Sequence, residues 1–411
     1  VAMTFPENGR SADEILSELD ARSSQDVQWR DGKTAVYIFN AGEDISALKK
    51  QAYTAFIEEN GLGPLAFPSL RQMEEDVIAM ALDILHGGEG ATGKMTSGGT
   101  DSITMAMKTA RDYARAEKGV SGPLNIVLPY SAHLAFDKAA HLMDIEVRRV
   151  PVQEGSFTAD VTAMADACDA HTIMVVGSAP NFPYGIIDPI EALSEMCEAK
   201  DLWLHVDACV GGFLAPFVRM NGTEIPPFDF EVPGVHSMSA DLHKYGYCAK
   251  GASTVLFRSE ALYQYMPFDF DNWSGTQMVT PTLAGTRPGG AISAAWAVMN
   301  HLGLAGYCEK QALVTKARAQ IEAGLRQLGF EILGEPKLGL MAFHHPDFHA
   351  YALWGKMAEK GWFTSLTKDP PSLHLMLSPK HAEVANVYLA DLEKSMTEIT
   401  PDTEHVKARY S

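Results

Sequence analysis

From about residue 67 the chain alternates short apolar runs with segments of helical periodicity, and few architectures satisfy that pattern. Residues 70–85 and 102–116 carry apolar side chains at helical spacing. Strand-like runs then follow at regular intervals, at 125–128, 146–150, 172–176, 203–206, 237–239 and 253–257, with helical stretches such as 134–143 and 189–200 between them. Several runs are apolar throughout, as strands are when crossover helices cover both faces. The pattern predicts an α/β architecture built on a mostly parallel sheet.

The flanks read differently. Ser11 with Glu14 forms a capping-box pattern, 36–39 (Val36-Tyr-Ile-Phe39) is an extended piece, and 47–59 is a second helix. After Pro288-Gly-Gly290 two helices are expected, at 291–302 and 307–328, and then a smaller α+β unit that ends in the polar tail 400–411. The expected division is an N-terminal arm at 1–62, a large domain at 63–295 and a small domain at 296–411.

Charge narrows the partners. With 52 acidic against 33 basic residues the net charge is -19, which disfavours nucleic acid and anionic membrane surfaces. No apolar run reaches membrane-spanning length. Five scattered cysteines (Cys168, Cys197, Cys209, Cys248 and Cys308) form no disulfide framework and point to a reducing cytoplasm.

Three short constellations carry chemistry. Thr96-Ser-Gly-Gly-Thr-Asp101 precedes a helix, so its amides and the helix N-terminus suit a phosphate, with Thr100 as cap. A plain glycine turn would look the same. His205-Val-Asp-Ala-Cys209 ends an apolar strand, where ligand crevices lie in open α/β sheets. Asp207 there needs a cationic partner, either a protonated heterocyclic nitrogen or a metal shared with His205 and Cys209, or it merely caps a turn. Ser237-Met-Ser-Ala-Asp-Leu-His-Lys-Tyr-Gly-Tyr247 places Lys244 outside any charged run, as a structural lysine or as one able to lose its proton and form a Schiff base. Taken together, a phosphate cradle, a strand-end carboxylate and a lysine are the parts that a pyridoxal-phosphate site requires. His344, His345 and His349 are read as a loop of the small domain rather than a metal site.

With these motifs the chain resembles the sphingosine-1-phosphate lyase family within the group II pyridoxal-phosphate decarboxylases. The resemblance runs from Gly32 to about Met396 and is most specific at Phe67-Pro-Ser-Leu-Arg-Gln-Met-Glu74, Ser131-Ala-His-Leu-Ala-Phe136, Pro180-Asn-Phe-Pro-Tyr-Gly-Ile-Ile-Asp-Pro189, Ser239-Ala-Asp-Leu-His-Lys-Tyr-Gly-Tyr247 and Pro281-Thr-Leu-Ala-Gly-Thr-Arg-Pro-Gly289.

The resemblance implies a fold-type I enzyme with a seven-stranded sheet and pyridoxal 5'-phosphate as cofactor. It places Lys244 in the Schiff base, Asp207 at the pyridine nitrogen and His133 on the ring face, with no metal. Gly98, Gly99, Thr100, Ser178, Ser239 and His243 would hold the cofactor. Gly285 and Thr286 would reach it from a neighbouring subunit, which implies a homodimer with shared sites. Tyr37, Asn60, Lys250 and Arg287 are the substrate-binding candidates. Two positions depart from the family. Gly63 replaces a histidine that binds substrate phosphate, and Met278 replaces an active-site tyrosine.

The expected reaction cleaves the Cα–Cβ bond of a phosphorylated β-hydroxy amine, such as a sphingoid base phosphate, to an aldehyde and an amine. The alternative is amino-acid α-decarboxylation at the same Lys244. A cofactor-free or metal-binding module that keeps the fold for protein contacts is a third reading.

Overall fold

The computed structural model describes residues 4–400 and 403. Seven strands form the central sheet: β1 (Thr92–Thr96), β2 (Leu124–Pro129), β3 (Ile145–Val150), β4 (Thr172–Ser178), β5 (Leu204–Asp207), β6 (Val235–Ala240) and β7 (Ser253–Phe257). Their order is β1-β7-β6-β5-β4-β2-β3. The pairs β6–β5, β5–β4, β4–β2 and β2–β3 are parallel, while β7 runs antiparallel to both β6 and β1. Five of the six expected strands have shifted ends, by one to two residues, and 253–257 is unchanged. Val127, Val176, Val206 and Met238 are fully buried, as the apolar runs require. β1 (Thr-Gly-Lys-Met-Thr) was not expected, because its composition carries no apolar run.

Register matters more than order. Ser178 lies opposite Asp207, and Asp207 opposite Ser239, so the carboxyl ends of β4, β5 and β6 present three polar side chains in a row. Each parallel strand ends on the same edge of the sheet, which is where helix N-termini and loops gather.

The expectations at the flanks were partly wrong. The capping box at Ser11 is present, with Glu14 bonded back to Ser11. The second helix is Glu43–Ala55 rather than 47–59, starting where Glu43 and Asp44 favour the helix N-terminus. Residues 36–39 are not a strand. Tyr37 sits at φ 63, and the Ile38 amide donates to the Val36 carbonyl at 2.7 Å, a tight turn that buries Val36 and Phe39. The two helices expected after Gly290 are present within Gly289–Gln327, meeting at the non-helical Gly303 (φ 54, ψ -174), and the first of them runs across the expected 295/296 boundary.

Beyond it a four-stranded antiparallel sheet, in the order Glu331–Ile332, Leu340–His344, Pro371–Met376, Ser365–Lys368, packs with helices Ala350–Glu359 and His381–Thr397. Within this unit His345 packs on Phe330 and Phe348, His344 lies 3.5 Å from Glu331, and His349 accepts from the Tyr351 amide at its helix start.

Candidate active site

The three constellations converge on one cavity of about 360 Å³ at the carboxyl edge of the sheet. Its lining includes Gly98, Gly99, Thr100, His133, Asp207 and Lys244.

The cradle is the N-terminus of helix Gly99–Glu117, whose first amides have no partners inside the helix. Gly98 is the N-cap, so Thr100 stands in the first turn and does not cap. Asp101 braces the turn instead, accepting from the amide and the hydroxyl of Ser97, both at 3.0 Å. Close approach is required at Gly99. A Cβ there would lie 2.8 Å from Cys209 Sγ and about 3 Å from both Asp241 carboxylate oxygens.

Asp207 is held by donors on its own side of the cavity, the Cys209 amide at 3.1 Å and the Ser239 hydroxyl at 3.2 Å. His205 is bonded to Ser237 and Ser239, at 2.8 and 3.3 Å, and burial pushes its pKa down to about 4. Burial raises the Cys209 thiol well above its usual range. A neutral thiol and a neutral, bonded imidazole leave Asp207 facing the cavity as a single carboxylate, which suits a protonated ring nitrogen better than a metal.

Lys244 follows β6 in a loop clamped from below. Gln311 donates to the Tyr245 carbonyl at 3.2 Å and accepts from the Tyr247 hydroxyl at 2.8 Å, and the Tyr307 hydroxyl donates to the Gly246 carbonyl at 2.8 Å. Lys244 Nζ lies 2.9 Å from Asp241 Oδ2. Burial alone would lower the lysine's pKa, but Asp241, with Asp207 adding to it, outweighs it and the net shift is upward. Asp241 shows the reverse, with burial opposed and exceeded by Lys244 and His243, and is lowered. Sequence reasoning expected a lysine eased towards its neutral form, and it overlooked Asp241, a carboxylate only three positions away.

His133 projects from the turn before helix Ala135–Met143. Its Nδ1 accepts from the Ala135 amide at 3.2 Å, which assigns the ring proton to Nε2, and burial lowers its pKa. Phe182 meets it edge-on, with ring centroids 6.2 Å apart.

Several buried polar atoms at this site have no partner in the protein: Ser178 Oγ, Asp241 Oδ1, His243 Nδ1 and Asp101 Oδ1. Such atoms are costly unless a ligand answers them. A cradle that only glycine can form, a lone strand-end carboxylate, a flat neutral imidazole and a lysine amine fit the phosphate, ring nitrogen, ring face and aldehyde of pyridoxal phosphate respectively.

Other candidates fall elsewhere. Lys250 Nζ donates to the carbonyls of Tyr37 at 2.7 Å and His243 at 3.3 Å, next to the main cavity. Asn60, Gly285 and Arg287 instead line a separate cavity. Arg287 does not offer a free cation. It is buried and paired with both oxygens of Glu74, and its terminal nitrogens also reach the carbonyls of Met95 and Gly61. Its expected role towards a substrate anion is therefore replaced by a structural one. Room exists at Gly63, where a Cβ would meet nothing closer than Ala66 at 3.6 Å. Met278 lies on a short, exposed hairpin, Phe268–Phe270 with Met278–Thr280.

Among the described residues no helix is long and apolar enough to cross a membrane. The family model for the pyridoxal-dependent decarboxylase conserved domain matches residues 1–345. Sphingosine-1-phosphate lyase of Oryza sativa subsp. japonica is 40% identical over 395 residues, spanning 94% of this chain and 72% of the relative. Sphingosine-1-phosphate lyase 1 of Rattus norvegicus is 40% identical over 400 residues, spanning 96% of this chain and 70% of the relative. Among solved structures, a sphingosine-1-phosphate lyase from Burkholderia pseudomallei superposes with a TM-score of 0.93 at 35% identity, covering 98% of this chain and 94% of the other.

Proposed function

The chain belongs to the sphingosine-1-phosphate lyase family of the pyridoxal-dependent decarboxylases, and from that premise we propose that it is a carbon–carbon lyase acting on a phosphorylated β-hydroxy amine. It cleaves the Cα–Cβ bond of a sphingoid base phosphate or a close analogue to an aldehyde and an amine. The observation that carries the reading is the cavity in which the Gly98–Gly99 cradle, Asp207, His133 and Lys244 meet.

Bound pyridoxal 5'-phosphate supplies an electron sink for the carbon that bears the substrate's amine. The protein's own groups do the rest. Gly98, Gly99, Thr100 and His243 hold the cofactor's phosphate end, Ser178 brings a hydroxyl to the same strand edge, and Asp207, itself held by the Ser239 hydroxyl, keeps a cationic nitrogen in place. Lys244 anchors the cofactor through its amine, and Asp241 stands 2.9 Å away to receive that amine as an ammonium whenever it is released. His133 covers the ring face and holds a proton at Nε2, so it and Lys244 are placed to move protons at the substrate. Tyr37 and Lys250 lie towards the substrate's anionic end.

A homodimer with shared sites completes the proposal. Phe268, Phe270, Trp273, Val279 and Leu283 are exposed on and beside the hairpin that leads to Gly285 and Thr286. Such a patch fits a second copy of the chain, which Gly285 and Thr286 would enter. The five free cysteines accord with a cytoplasmic setting.

The test is turnover of a phosphorylated sphingoid base by the holoenzyme with detection of the aldehyde. No aldehyde from any phosphorylated β-hydroxy amine sinks the reading, and carbon dioxide release from an amino-acid panel would establish the decarboxylase instead. Light scattering checks the dimer.

A further inference from the structure

Beside the Lys244 cavity, a second cavity of about 370 Å³ lies between the N-terminal segment and the loop that follows Lys244. Lys49, Lys50 and Lys250 line it, along with the apolar faces of Trp29, Phe39 and Tyr53. His243 lines both cavities, so the two adjoin.

Neither Lys49 nor Lys250 is paired with an acid, although Glu43 acts on Lys49 and Asp241 on Lys250 from further away. Lys250 Nζ is bonded only to carbonyl oxygens, of Tyr37 and His243, and sits 5.3 Å from the Phe39 ring centre. Lys49 Nζ has a single long contact, 3.4 Å to the Tyr247 carbonyl. Among the described residues neither forms an ion pair, although acids outnumber bases 52 to 33 in the chain. The nearest acid to Lys250, Asp241, is already paired with Lys244. Burial, with Lys244 and Lys49 adding to it, pushes Lys250 down to about 8, and burial also lowers Lys49. Two partly desolvated ammonium groups on apolar walls, of which Lys49 depresses Lys250, are stabilised by an anion that enters between them.

We propose that Lys49 is a second cation of the site for the substrate's phosphate, acting beside Lys250 across this cavity. The assignment rests on the function proposed above, in which the substrate carries its amine at Lys244 and a phosphomonoester at its other polar end. Residues next to Gly63 (Asn60, Gly61, Leu62 and Pro64) line the Arg287 cavity instead, so within one chain the cations of this cavity come from Lys49, Lys50 and Lys250.

Lys49→Met in the holoenzyme keeps the apolar stem and removes the charge. The expected result is a KM for a phosphorylated sphingoid base raised about tenfold with kcat within about twofold, and inorganic phosphate binding weakened by a similar factor in calorimetry. Lys49→Arg should restore both, and Lys49→Gln serves if the Met variant does not fold. Unchanged KM and unchanged phosphate affinity, with native cofactor absorbance, overturn the proposal. If the wild type cleaves no phosphorylated sphingoid base, the proposed function fails. The phosphate titration still decides on Lys49, since equal affinity in wild type and Lys49→Met overturns its role and a loss confined to the variant upholds it.

Discussion

Two cavities each contain a buried acid–base pair, and the pairs are finished to different degrees. In the cavity near Asn60, Arg287 meets both oxygens of Glu74, the Met95 amide donates to the same carboxylate at 3.0 Å, and the guanidinium reaches two carbonyls besides. In the other, Lys244 meets only one oxygen of Asp241; buried atoms without a partner remain at both, Arg287 Nε in the first and Asp241 Oδ1 and His243 Nδ1 in the second. A planar fork bonded on both arms cannot leave without exposing a buried charge, whereas an ammonium on a flexible stem can. The first pair is structural for that reason, and the second can let go.

That contrast predicts separable losses. Lys244→Ala should abolish the visible cofactor absorbance and lower turnover on the order of a thousandfold or more while lowering the unfolding midpoint less than Glu74→Ala does, because Asp241 has fewer bonds to lose. Glu74→Ala should do the opposite, costing about 3–5 kcal/mol in denaturant unfolding because Arg287 is left buried and unpaired, with the absorbance retained in what remains folded. If both variants lose stability equally, the contrast is broken.

A smaller effect should appear with pH. Lys250, faced by Lys244, Asp241 and Lys49, has a pKa pushed down to about 8, so it is cationic below that value and loses its proton above it. For a phosphorylated substrate kcat/KM should therefore fall about tenfold per pH unit above roughly pH 8, and Lys250→Arg should remove that limb. The slightest change is expected from Asp241→Asn. Asp241 is the main group that raises Lys244, so its loss lets the lysine deprotonate at lower pH. The pH midpoint for reconstitution of the apoenzyme with pyridoxal phosphate, followed by absorbance, should move down, and an unmoved midpoint would mean that Asp241 does not hold the amine.

Much of the sheet was legible because strands buried on both faces must be apolar, and Val127, Val176 and Val206 announce themselves that way. Asp207 stood out because a carboxylate at the end of such a strand is expensive without a partner. What escaped notice depended on distance or on tertiary packing. Arg287 is 213 residues from Glu74, so nothing local marks it as spent. Residues 36–39 have strand-like composition, yet Val36 and Phe39 are buried by the fold around them and Tyr37 turns through the left-handed region. The cavity of Lys49 was invisible for a related reason, since its walls come from segments some two hundred positions apart. Asp241 was within reach, three residues before Lys244, and was passed over because its run was read for the lysine alone.

The register of β4, β5 and β6 has a consequence for how such a site can diversify. Neighbouring strands stand about 4.8 Å apart, so Ser178, Asp207 and Ser239 are spaced by the backbone ladder itself. A loop can lengthen, or exchange a histidine for Gly63 or a tyrosine for Met278, without moving that ruler. A slip of one residue in β5 would instead set Val206 or Ala208 in the place of Asp207. The sheet thus works as a fixed jig for the cofactor, and the surrounding loops remain free to be retooled for a different substrate.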